Sequence, residues 1–162
     1  MFWLYVFAVA WVLESGFMAY TVMNQAARLK EIDELMENVK SIEAMLEDAS
    51  PRELFGGTAF LQLILAGFDF AGFAVAYSYL NLSGALLWIF VAIVCCYCFD
   101  ILNDFVHIRK LQRLFETTND PLPVVSRYLK YCISATSPAA YVGAYGKCLI
   151  AVNLLLVLLR LD

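Results

Sequence analysis

Four carboxylates stand where an ionised group is costly: Glu14, Asp69, Asp100 and Asp104 each interrupt a stretch of otherwise apolar residues. Holding such a group at the centre of a bilayer costs about 2.5–3.5 kcal/mol on insertion scales, so it normally faces a bundle interior, a partner or water. Carboxylates at comparable depth can line a cation route or accept protons, which makes these four the candidate ion-pathway residues. The competing explanation is packing. Each acid is then protonated, or pairs with Lys147 or with a polar neighbour such as Gln62, Asn103 or Asn153.

Two further patterns have chemical potential. Asp100, Asp104 and His107 share one helical face, and two carboxylates with an imidazole suit a divalent cation. One helix alone supplies them, so a closed site would have to borrow Asp69 or Glu14. The alternative places His107 in a basic cluster with Arg109 and Lys110. Cys95-Cys96-Tyr97-Cys98 contains the C-x-x-C spacing of redox pairs, with Cys132 and Cys148 elsewhere. Those thiols sit in an apolar helix with no basic neighbour to lower their pKa, so they read as small buried hydrophobes. The chain has no phosphate-binding glycine loop, serine nucleophile elbow, zinc-helix signature or basic patch with interleaved aromatics. No cofactor and no nucleic-acid partner are expected.

The elements that must position these residues are membrane spans. The 162-residue chain is 62% hydrophobic and 16% charged, with a mean hydropathy of +0.72. An ordinary soluble domain is about 45–50% apolar and about 25% charged. About 20 apolar residues at 1.5 Å each cross a hydrocarbon core of about 30 Å. Residues 2–23, 58–82, 85–106 and 141–161 all meet that requirement. The first stretch has no basic residue before it and runs on past Glu14, which predicts a retained helix rather than a secretory leader. No connection is long enough for a soluble enzyme domain, so residues 1–162 read as a single membrane domain.

Lysine and arginine set the expected topology. Arg28, Lys30, Lys40 and Arg52 lie between the first two spans, and Arg109, Lys110, Arg113, Arg127 and Lys130 between the last two. The link Asn81-Leu82-Ser83-Gly84 has none and is short enough to force a hairpin. The positive-inside rule puts the connections 24–57 and 107–140 in the cytoplasm and both termini outside.

The first connection carries apolar residues at Ile32, Leu35, Val39, Ile42 and Leu46, a helical stripe of threes and fours. Its other face is acidic, a poor match for anionic lipid, so a protein surface is the expected partner. Ser50-Pro51-Arg52-Glu53 reads as a capping box that opens the second long helix. A straight descent to Ala49 would carry the chain too far from the membrane to return, which requires the helix to bend or to run at a shallow angle beneath the bilayer. Phe105, Ile108, Leu111, Leu114 and Phe115 extend the third helix to about Thr117, and its basic residues offer the acidic helix a partner. Val124 to Ile133 reads as a short interfacial helix. Gly67, Ala71, Gly72 and Ala76 make small-xxx-small pairs around Asp69, and Gly143 and Gly146 thin the fourth span.

The expected fold is therefore all-α: a polytopic integral membrane protein of four transmembrane helices with cytoplasmic amphipathic helices. The expected role is non-enzymatic, a homo-oligomeric sensor, scaffold or coupling subunit, possessing an interface formed by Ile32, Leu35, Val39, Ile42, Leu46, Gly67, Ala71 and Gly72. Besides the lipid bilayer and its own copies, a protein at the cytoplasmic face is an expected partner. The rival role is a small cation or proton channel or transporter built on the intramembrane acids, or a holin-like pore.

Overall fold

The computed structural model describes residues 2–37, 51–118, 122–133 and 137–160, with the side chains of 35–37, 51–54 and 132–133 left outside the description. Among the described residues every regular element is a helix: α1 (Phe2–Met23), α2 (Gln25–Glu37), α3 (Pro51–Tyr79), α4 (Gly84–Thr117), α5 (Leu122–Ile133) and α6 (Pro138–Leu158). Helices α1, α3, α4 and α6 are long and apolar enough to cross a membrane, which defines a multi-pass membrane protein. Helices satisfy every internal backbone hydrogen bond within one segment, the requirement that lipid imposes.

Breaks between helices follow from local chemistry. Asn24 separates α1 from α2 while the ladder continues through it, its N–H bonded to the Tyr20 carbonyl and its carbonyl to the Arg28 N–H. The α3–α4 hairpin begins earlier than the apolar run suggests, because Asn81, just past the end of α3, adopts a left-handed φ of 45°, and Gly84, with φ 55°, turns the chain into α4. Helix α6 starts at Pro138 rather than at residue 141, since Ser137 caps it by accepting a hydrogen bond from the Ala140 N–H. Helix α4 is 34 residues long, about 50 Å at 1.5 Å per residue, and so protrudes beyond a bilayer core.

The bundle has two distinct ends. At the terminal end, the Tyr5 hydroxyl donates to the Leu158 carbonyl, joining the start of α1 to the finish of α6. Ala8, Trp11, Phe73, Ala76, Phe90, Ile150, Ala151, Leu154 and Leu158 pack into one apolar cluster in this half. At the other end, Phe55 of α3, Ile108 and Leu111 of α4 and Tyr128 of α5 form a second cluster. There α2 packs on α5, with Lys130 paired to Asp33. The basic partner that acidic α2 meets is thus α5, which in turn packs on α4, whose extension is the partner that the sequence predicts. Ile32 is buried; Val39, Ile42 and Leu46, together with the cap at Ser50, lie outside the described residues, as does the side chain of Leu35.

Large apolar side chains such as Leu13, Phe60, Trp88, Leu102 and Leu149 point outward from all four long helices. Lipid is as apolar as leucine, so burying these residues would gain little. Helix contact must come from close packing and polar pairs instead. Small residues supply the first. A Cβ on Gly146 would lie 2.7 Å from Ile93 Cγ1, and one on Gly143 would touch the Tyr97 backbone, so α6 and α4 approach closely here.

A buried carboxylate–lysine network as the candidate functional site

Helix spacing brings the second ingredient, polar pairs, to the bundle centre. On α1 the buried positions Ala8, Trp11, Ser15 and Ala19 repeat at threes and fours, and Glu14 flanks that stripe. On α6 Gly143, Gly146, Lys147, Ile150, Ala151 and Leu154 do the same. Asp69 lies on the inward face of α3 among Ala66, Phe73 and Ala76. Three faces therefore converge on Lys147.

Lys147 Nζ contacts Asp69 Oδ2 at 2.8 Å and Glu14 Oε1 at 2.9 Å. Trp11 Nε1–H donates to Asp69 Oδ1 at 2.8 Å, and the Tyr97 hydroxyl donates to Asp69 Oδ2. The ammonium also sits 5.4 Å from the Tyr97 ring centroid, within cation–π range. Asp69 and Lys147 are both about 2% exposed, whereas the Glu14 side chain retains 19%. Asp69 thus accepts from three donors. Glu14 has one oxygen on the ammonium, while Oε2 is buried and receives no hydrogen bond from the described chain.

The network depends on a glycine. A Cβ on Gly72 would stand 2.2 Å from Trp11 Cε2, so only glycine admits the indole that reaches Asp69. Gly72 is thereby spent inside the chain. Gly67 and Ala71 are exposed, and nothing approaches the Cβ position of Gly67 within 4 Å.

Asp100, Asp104 and His107 occupy a different region. The Ser137 hydroxyl donates to Asp100 Oδ1 at 3.5 Å, and the Tyr131 hydroxyl donates to Asp104 Oδ1 at 2.7 Å. Asn103 donates to the Tyr131 hydroxyl at 3.3 Å, and the His107 ring stacks on Tyr131 at 3.8 Å. Among the described residues, no group of three or more His, Cys, Asp or Glu side chains is arranged to hold a metal ion. Cys95, Cys96, Cys98 and Cys148 are free thiols.

The structure therefore gathers Glu14 and Asp69 into one site with Lys147 and leaves Asp100 and Asp104 along α4. Trp11 and Tyr97 join the site without having been singled out from sequence. Both donate to Asp69 from other helices, a meeting that the spacing along one helix does not encode. The fold and site together define a multi-pass membrane protein with four long apolar helices among the described residues and a buried carboxylate–lysine network. Comparison with family models, curated proteins and solved structures finds no match to this chain.

Proposed function

We propose that this is a non-enzymatic membrane protein that binds and moves a proton through Glu14, with Asp69 and Lys147 as its fixed ion pair. The supporting observation is one ammonium shared by two carboxylates that are satisfied unequally. Asp69, with three donors, is held as an acceptor and balances Lys147. Glu14 then carries the surplus negative charge, and a lone charge in the bilayer interior is unfavourable by several kcal/mol. A proton on the unbonded Oε2 removes it. Because Glu14 is the most exposed member of the three, it is the member that can exchange.

The test is proton entry into proteoliposomes under an imposed potential, followed by an internal pH dye. Wild type is expected to exceed protein-free vesicles, and Glu14→Gln, which mimics the protonated state, to fall to their level while retaining its fold. Absence of wild-type flux, or full flux in Glu14→Gln, would overturn the proposal. Flux of sodium or potassium instead would replace the proton with a metal cation.

A homo-oligomeric scaffold is the second reading. Gly67, Ala71 and Ala74 form an exposed row of small residues on α3, a surface on which another helix can pack closely. The mass of the nanodisc-embedded protein tests it: a defined oligomer dissociated by Ala71→Leu supports assembly, and a strict monomer sinks it. For orientation, we place the α2/α5 end in the cytoplasm and both termini outside, because Arg28, Lys30, Arg109, Lys110 and Arg127 lie at that end.

A further inference from the structure

The two routes from Lys147 out of the bundle differ in kind. Towards the terminal end, the interior is filled by Ala8, Phe73, Ala76, Phe90, Ala151 and Leu154, all at most 8% exposed. Its polar termination is the Tyr5 hydroxyl on the Leu158 carbonyl. Towards the α5 end, Tyr97, Asp100, Asp104 and His107 follow one another at spacings of three, four and three, forming one continuous face of α4. That face meets Ser137 and Tyr131 of the neighbouring segments. On α3, Gln62 shares the face of Asp69 two turns away, and its Oε1 is buried without a hydrogen-bond partner. Buried polar atoms that no protein group satisfies are the positions ordered water takes.

We infer that the carboxylate–lysine network is reached by water and cations from the α5 end alone, through the interior lined by Gln62, Asp100, Asn103, Asp104 and Ser137, and is closed towards the terminal end by an apolar plug. Each ingredient is independent: a file of titratable side chains on α4, an orphaned amide oxygen on α3, and a dry cluster on the opposite side. A file of this kind offers a proton successive carboxylates and an imidazole between the bundle end and Glu14, whereas the plug offers none; this arrangement is therefore the α5-side-open state of the site, and through-flux requires the plug to part in a second state. The inference deepens the proton proposal and rests on it for its functional meaning, but its geometry is testable without any flux.

The experiment is thiol accessibility in proteoliposomes, with the native cysteines replaced and single cysteines placed at Asn103, Ser137, Ala76 or Leu154. A small, charged methanethiosulfonate is expected to label Asn103→Cys and Ser137→Cys at least tenfold faster than Ala76→Cys and Leu154→Cys. Equal rates in the two halves, faster labelling at 76 and 154, or no labelling at 103 and 137 would overturn the inference. Hydroxyl-radical footprinting of the unmodified protein guards against misfolded variants. Tyr131 and His107 should oxidise and Phe73 and Phe90 should not, and the reverse order would overturn the inference as well. Asymmetric labelling in a protein without proton flux would retire the proton proposal and keep one-sided access. Flux with symmetric labelling would do the opposite.

Discussion

The two halves of the bundle solve the same problem by opposite means. The half near the termini is held by aromatic and small side chains: Trp11 meets Phe73 edge-on at 5.6 Å, and Phe73 meets Phe90 at 6.0 Å. The half near α5 adds to its smaller apolar cluster of Phe55, Ile108, Leu111 and Tyr128 a set of hydrogen bonds, Tyr131 on Asp104, Asn103 on Tyr131 and Ser137 on Asp100. Between them stands Lys147. In lipid, apolar contact alone gives little preference for helix over tail, so the dry half relies on steric fit and the polar half on hydrogen bonds. The first can be rigid and tight. The second can admit water and exchange charge.

The largest effect should come from removing the ion they share. Lys147→Met leaves the Asp69 carboxylate without its counter-ion and Glu14 without its donor, a change that costs about 3–5 kcal/mol when a buried pair loses one member. The variant should lose its cooperative thermal transition in detergent. Adding Glu14→Gln and Asp69→Asn should restore most of it, and failure of that rescue would show that Lys147 acts through packing rather than charge.

Next in size is the dry half's steric fit. Gly72→Leu drives a side chain into the Trp11 indole and should destabilise by about 1–3 kcal/mol, the range for overpacking. Gly67→Leu, on the outward face, should shift the same transition by less than about 0.5 kcal/mol in a monomeric preparation. Similar shifts for the two would erase the distinction between the faces of α3.

Hydrogen-bond deletions should separate the halves further. Trp11→Phe strands Asp69 Oδ1 in a dry site and should cost about 1–3 kcal/mol, the penalty for an unsatisfied buried group. Tyr131→Phe removes a bond to Asp104 where water can replace it and should cost less than about 1 kcal/mol in the same unfolding assay. The smallest effect belongs to the Lys130–Asp33 pair, whose side chains are about half exposed. Asp33→Asn should change stability by less than about 1 kcal/mol, and by less still in high salt.

Much of this architecture was legible in the residues, for a physical reason. Lipid requires long apolar helices, so the limits of α1 and the extension of α4 to Thr117 follow from composition and period. The site was legible only in part. Lys147 was one of several possible partners for the acids, but which acids meet it depends on the rotation of four helices about their axes, and a single helix's spacing does not encode that. Gly67 and Gly72 illustrate the difficulty. Five residues apart, they point about 140° from each other around the helix, so one receives Trp11 and the other faces outward. Trp11 passed as apolar bulk and Tyr97 was hidden among cysteines, although both donate to Asp69.

The most direct test is an infrared count of protonated carboxyl groups at neutral pH, taken as the difference between wild type and Glu14→Gln in lipid. The surplus-charge account predicts one protonated carboxyl per chain that disappears in Glu14→Gln, and equally in Asp69→Asn, because either change leaves a single carboxylate balanced by Lys147. No difference between wild type and Glu14→Gln would mean that both carboxylates stay ionised beside one ammonium, which would contradict it.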